Sequence, residues 1–311
     1  MKKSNVAFVF PGQGAQEVGM AKEFYSIPKY KKYFELANEK LNFDLKSIMF
    51  EGPIEELKQT YNTQPAILLH SILALKLFQE RSDIEPAYVA GHSLGEFSAL
   101  CAANTFDWLD ALLLVHKRGK FMVDASRGIP YKMAAILGLD KEKIVESCES
   151  VSGNVVAANF NTPSQTVISG EEDAVNEAME ICKKAGAKRV VPLVVGGAFH
   201  SPLIKKSSEW LFAEMKKVNF KQADIPTIAN YTAKAEIQPD EIKENLRQQI
   251  ISPVRWVESV EYMINKGVDT FIEFGPGKVV SGMIKKIDRN VKRLNISSFD
   301  DLDKTIAQLN Q

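Results

Sequence analysis

The feature that most narrows the fold is a repeated local pattern: a short, almost wholly apolar run, a glycine-rich turn, then a helix. Val6 to Phe10 (V-A-F-V-F) is apolar at every position and stops at P-G-Q-G. A strand with water on one side alternates apolar and polar residues, so five apolar residues in a row need cover on both faces, as in a parallel sheet. Tyr88 to Ala90 repeats the pattern and ends in G-H-S-L-G, ahead of a helix of small and apolar residues beginning at Leu94. Ile225 to Asn230 and Thr270 to Phe274 read as further strands. Helices are expected after Ala15, from Gln64 for almost four turns, and over Trp108 to Arg118, closed by Gly119. More follow at Pro202 to Lys217, Asp240 to Ile250 and Arg255 to Lys266. Strand, turn and helix in alternation predict an α/β layer fold.

The middle of the chain has a different rhythm. Met133 to Leu137 reads as a strand, Lys141 to Ser150 as a helix, Val155 to Phe160 and Gln165 to Ser169 as strands, Glu172 to Ala185 as a helix, and Arg189 to Val195 as a strand. The order β-α-β-β-α-β is that of a ferredoxin-like unit. The expectation is therefore a large parallel-sheet subdomain, residues 1–127 and 198–311, interrupted by a small ferredoxin-like βαββαβ subdomain at 128–197.

Composition excludes several classes of function. With 311 residues and 45% hydrophobic content the chain can bury a full core. Lys plus Arg and Asp plus Glu stand at 39 each, so no global field favours nucleic acid or an anionic membrane. Cys101, Cys148 and Cys182 lack zinc or redox spacing and read as small buried hydrophobes, and no metal site is expected. The apolar run behind M-K-K-S-N ends at Pro11, too short for a signal-peptide core, and no run is long enough to cross a membrane. A cytoplasmic protein is the expectation.

G-H-S-L-G fits the nucleophile elbow G-x-S-x-G, in which a sharp strand-to-helix turn lifts a serine hydroxyl out of the sheet. That makes Ser93 a candidate nucleophile, although a serine at a helix start also serves as a plain N-cap. A serine needs a base, and the chain has four histidines. His70 lies in the apolar helix and reads as a hydrogen-bonded core residue. His116 lies on the next long helix, and His92 adjoins Ser93 at a turn where neighbours point apart. His200, in G-G-A-F-H-S-P after the last strand of the insert, is the remaining candidate base; the alternative is a loop histidine in water. No aspartate stands out as a third triad member, since those between Ser93 and His200 sit at helix starts or turns. The Leu94 N–H and Gln13, held between glycines, are candidate oxyanion donors. G-Q-G-A-Q-E lacks the third glycine of a dinucleotide fingerprint, and G-P-G-K-V lacks the pattern of a P-loop. Arg118 either lies in solvent at its helix end or reaches the serine pocket, where its planar fork would hold a carboxylate.

Taken together, V-F-P-G-Q-G-A-Q, Q-P-A-I (64–67), G-H-S-L-G-E-F (91–97), R-G (118–119), A-F-H-S (198–201), S-P-V-R-W (252–256) and F-G-P-G-K-V (274–279) resemble the malonyl-CoA:acyl-carrier-protein transacylases of fatty-acid and polyketide synthesis. The resemblance spans nearly the whole chain. It implies a hydrolase-like α/β subdomain with a ferredoxin-like insert, Ser93 as nucleophile, His200 as base, Gln13 and the Leu94 N–H as oxyanion hole, and Arg118 as clamp on the malonyl carboxylate. It further implies that the main-chain carbonyl of Gln249 orients the histidine, and that Phe199 crowds a 2-methyl group. The implied chemistry is ping-pong: malonyl passes from malonyl-CoA to Ser93, then to the phosphopantetheine thiol of an acyl carrier protein. No bound cofactor and a monomeric enzyme are implied. The rivals are an editing hydrolase that clears acyl groups from carrier proteins and a non-catalytic carrier-protein docking module.

Overall fold

The computed structural model describes residues 5–309; the M-K-K-S start of the segment weighed above as a signal peptide lies outside them. Among the described residues ten strands form two sheets. They are β1 (Val6–Phe10), β2 (Tyr88–Gly91), β3 (Tyr131–Leu137), β4 (Val155–Thr162), β5 (Gln165–Glu171), β6 (Arg189–Leu193), β7 (Thr227–Ile228), β8 (Ala235–Glu236), β9 (Thr270–Phe274) and β10 (Lys292–Ile296).

The large sheet runs β10-β9-β1-β2-β7-β8, parallel except for the short edge strand β8. All five residues of β1 are buried, as its unbroken apolar run requires. Val6, Phe8 and Phe10 pack into the core around helix Thr60–Gln79, whereas Ala7 and Val9 pack with Trp256, Val260 and Ile284 on the opposite face. One strand thus serves two hydrophobic layers, and it sits at the centre of the sheet. From β1 the chain goes to β2 on one side, while β9 and β10 lie on the other; the crevice beyond the carboxyl ends of β1 and β2 is where such sheets place ligands.

The small sheet, β4-β5-β3-β6, is antiparallel throughout. Helices Lys141–Glu149 and Glu172–Lys184 cover one face, burying Ile136, Ile144, Cys148, Val175 and Cys182. Alternation along β3 sends Met133 and Ala135 to the other face, into the main core. Val254 exchanges backbone hydrogen bonds with β4, from its N–H to Ala158 O (2.9 Å) and from the Phe160 N–H to its O (2.9 Å), stitching S-P-V-R-W to the small sheet. We propose residues 128–197 as the inserted subdomain on this arrangement.

Several local readings are corrected. The residues after Ala15 form turns and a 3-10 segment, Lys22–Ser26, before the first α-helix, Pro28–Leu41. β10 and the final helix Phe299–Leu309 were not expected. The helix Trp108–Asp124 does not stop at Gly119. A Cβ at Gly119 would stand 2.7 Å from the Thr60 carbonyl oxygen, so this glycine lets two helices touch rather than ending one. At that crossing Pro65 removes the N–H that would have bonded Tyr61 O, and His116 Nδ1 donates to this carbonyl instead at 2.8 Å. Gly119→Ala is expected to cost about 1–3 kcal/mol through overpacking, read as a lower urea midpoint at unchanged slope. An unaltered midpoint would show that the crossing can relax.

Candidate active site

The turn between β2 and helix Gly95–Ala102 is tight enough to exclude side chains on both sides of Ser93. A Cβ on Gly91 would fall 1.9 Å from the Gly95 carbonyl carbon, and one on Gly95 would fall 2.3 Å from Phe10 O. The turn forces Ser93 into a left-handed conformation, φ 51°, which for a non-glycine residue costs on the order of 1–3 kcal/mol and must be held by its surroundings. Two side chains hold it. Asn230 Oδ1 accepts from the Ser93 N–H at 2.6 Å, and Gln249 Nε2 donates to Ser93 O at 3.0 Å. The elbow is therefore gripped at its own backbone.

Its hydroxyl meets His200. Ser93 Oγ lies 2.8 Å from His200 Nε2, and His200 Nδ1 lies 2.8 Å from the main-chain oxygen of Gln249. A carbonyl can only accept, so the neutral ring carries its proton on Nδ1. Nε2 is then bare and must accept from the serine O–H. Burial, reinforced by the Arg118 charge, pulls the His200 pKa from 6.5 down to about 3. The ring is therefore neutral, with its Nε2 lone pair facing the Ser93 hydroxyl. No aspartate takes part; Asp107, for one, caps its helix through the Leu109 N–H at 2.8 Å.

Arg118 lies within its helix, not at its end, and is 1% exposed. Its Nη1 donates to Gln64 Oε1 at 2.8 Å, and its Nη2 donates to Gln249 Oε1 at 2.9 Å and to Ser93 Oγ at 3.0 Å. All three acceptors are neutral. Its Nε has no partner, and no carboxylate stands within salt-bridge distance of it among the described residues. Burial lowers its pKa to about 10, which leaves it charged at neutral pH.

These groups face a cavity of about 190 Å³ between the two sheets. Gln13 and Leu94 line it on the side of the large sheet, Met133, Val167 and Leu193 on the side of the small one, with Phe199 and His200 between. All seven site residues expected from the sequence thus gather in one place: six line the cavity, and Gln249 lies just behind it. His92 also lines it but turns its Nε2 to Asn161 Oδ1 (2.8 Å), as expected of a neighbour pointing away. His70 is held by Ser297 O at 2.9 Å, a core residue as predicted.

The sequence reading missed Gln64, Asn230 and Glu96. Glu96 is fully buried and accepts from the Asn230 N–H (2.8 Å) and Gln249 Nε2 (2.9 Å). An acid in the first turn of an otherwise small and apolar helix was the available signal. Near the end of β9, Glu273 is buried and accepts from the Val280 and Ser281 N–H groups at the head of helix Val279–Ile287. A carboxylate already occupies the place a P-loop would give to phosphate. Among the described residues no group of His, Cys, Asp or Glu is placed to hold a metal ion.

The model of the acyl transferase domain family matches residues 7–298. The chain belongs to this family. It is 46% identical over 312 residues to the malonyl CoA-acyl carrier protein transacylase of Bacillus subtilis, covering 99% of this chain and 98% of the relative. It is 44% identical to the Escherichia coli K12 protein of the same name, over 97% and 98% of the two chains. Among solved structures, an acyl carrier protein S-malonyltransferase from Vibrio cholerae superposes with a TM-score of 0.94 at 41% identity, covering 97% of this chain and all of the other. A malonyl-transacylase solved with a type II polyketide acyl carrier protein superposes equally well, at 37% identity and covering 98% of this chain.

In this family member the depressed His200 pKa fixes a pH dependence. The unfolded histidine takes a proton near pH 6.5 while the native one stays neutral to about 3, so this group erodes stability as pH falls through that window. The rate at which a fluorophosphonate labels Ser93 should accordingly show no histidine inflection between about pH 8 and pH 5. Arg118→Ala should move the acid limb upward by removing the second cause of the shift. An inflection at 6.5 in the native protein would contradict the assignment of His200.

Proposed function

We propose that the protein transfers a malonyl group from malonyl-CoA to the phosphopantetheine thiol of an acyl carrier protein, by a ping-pong route through malonyl-Ser93. The observation that carries the choice of acyl group is Arg118. A buried guanidinium held only by neutral oxygens, beside the nucleophile, leaves its charge for an anionic substrate to match. The malonyl carboxylate has the charge and planarity for that fork.

In the first half-reaction Ser93 Oγ attacks the thioester carbonyl as its proton passes to His200 Nε2. The carbonyl π electrons move onto oxygen, facing the Leu94 N–H and Gln13. Collapse breaks the C–S bond, and coenzyme A leaves with the proton from His200. In the second, the pantetheine thiol gives its proton to the same nitrogen and attacks the ester; Ser93 leaves and recovers the proton. Both half-reactions balance with one base and no further cofactor. Phe199, 7% exposed beside His200, narrows the space at the malonyl C2 position. We further propose a cytoplasmic monomer meeting its carrier protein from solution; no helix among the described residues is long and apolar enough to cross a membrane.

An editing hydrolase acting on uncharged chains would leave Arg118 buried opposite an apolar group. Incubation with labelled malonyl-CoA, digestion and peptide mass spectrometry should place malonyl on the Ser93 peptide, and Ser93→Ala should abolish it. Label elsewhere, or carrier-protein binding without label, would overturn the proposal. Arg118→Ala is expected to lower malonyl kcat/KM about ten- to a hundredfold, the loss of charge-assisted hydrogen bonds, while acetyl transfer falls less or rises. Equal losses for both substrates would mark Arg118 as structural.

A further inference from the structure

The Glu96 backbone N–H donates to Ser93 O at 3.2 Å, and its carboxylate, which touches neither the Ser93 hydroxyl nor His200, is the point on which the groups that hold both converge. Its Oε2 accepts from the Asn230 N–H (2.8 Å) and from Gln249 Nε2 (2.9 Å). Asn230 in turn accepts from the Ser93 N–H and donates to Gly91 O (2.7 Å), bracing the elbow from below. Gln249 donates to Ser93 O, accepts from Arg118 through Oε1, and offers its main-chain oxygen to His200 Nδ1. Without an acceptor at the Glu96 Oε2 position, the buried Asn230 N–H loses its partner, and Gln249 Nε2 keeps only its bond to Ser93 O, so the amide that faces Arg118 is held by one donor bond instead of two.

We propose that Glu96 is the positioning residue of this site, its Oε2 fixing Asn230 and Gln249 so that Ser93, His200 and Arg118 share one geometry. The role rests on an oxygen in that place rather than on its charge. Both bonds end on the same oxygen, so a neutral amide can replace them. Burial also raises the Glu96 pKa above the usual carboxylate range, which makes the charge costly, and buried Glu236 behind it is raised further by the same cause and by Glu96 itself. Glu96 Oε1 has no partner among the described residues, so only Oε2 is engaged.

The inference deepens the malonyl-transfer reading, so its test includes a probe that needs no malonyl. A fluorophosphonate reacts with Ser93 by losing fluoride, and its rate per folded site reports the elbow and base alone. Glu96→Gln keeps an oxygen in place and removes the charge; it is expected to label within about threefold of the native rate. Glu96→Asp keeps the charge and withdraws the oxygen by one methylene; it is expected to label about tenfold slower or less, with malonyl kcat falling in parallel. Glu96→Asp at the native rate, or Glu96→Gln as slow as Glu96→Asp, would overturn the inference. Native protein that labels with fluorophosphonate but never with malonyl would instead overturn the substrate reading, and the ordering of the two variants would still decide the role of Glu96.

Discussion

Taking a guanidinium out of water costs several kcal/mol unless its surroundings replace the lost hydration, and Arg118 obtains only part of that replacement. Two glutamine carbonyls and the serine oxygen take three of its four Nη hydrogens; its Nε has no hydrogen-bond partner, and no carboxylate stands within salt-bridge distance among the described residues. The remaining features follow from keeping such a group next to a nucleophile. Helix Trp108–Asp124 has to carry it into the core, which Gly119 permits by letting that helix touch Thr60–Gln79. Gln64 and Gln249 must be held with their oxygens turned inward, and in the case of Gln249 a buried network including Glu96 does so. Buried Glu96 acts on this charge from beyond hydrogen-bond reach, and on the proposed reading an anionic acyl group supplies the charge in contact.

The same positive charge sets the base. It adds to burial in keeping His200 neutral, the state that the proposed proton transfer from Ser93 requires. A carbonyl in place of a triad aspartate suits this setting. A carboxylate at Nδ1 would raise the histidine pKa and would compete for Arg118, whereas the Gln249 carbonyl fixes the tautomer and adds no charge. The apolar face of the small sheet, through Met133, Val167 and Leu193, covers the opposite wall.

The parallel sheet was legible because β1 and β2 are short apolar runs ended by glycine turns, and the small sheet because its turn residues separate strands of similar length. The tight turn at Ser93 was legible from local spacing, since the two glycines have a steric reason to flank it. His200 emerged only by elimination, and Arg118 was placed at a helix end because Gly119 looks like a cap; nothing within the helix announces that Thr60 lies against it. Gln249 came only through the family resemblance, and Gln64, Asn230 and Glu96 were not singled out at all, for one shared reason. They act through hydrogen bonds between positions as far as 156 residues apart, and the spacing of such partners is set by the tertiary fold. The edge strand β8 and the two-residue β7 carry too few residues for any periodic signal.

The central claim is that Ser93 holds malonyl between two thiols, so that coenzyme A departs before the carrier protein is needed. Exchange of labelled coenzyme A into malonyl-CoA in the absence of carrier protein tests it directly. The account predicts that label enters malonyl-CoA at a rate comparable to turnover and that Ser93→Ala abolishes the exchange. Exchange that occurs only when carrier protein is present would mean that the acyl group passes within a ternary complex, and would contradict it.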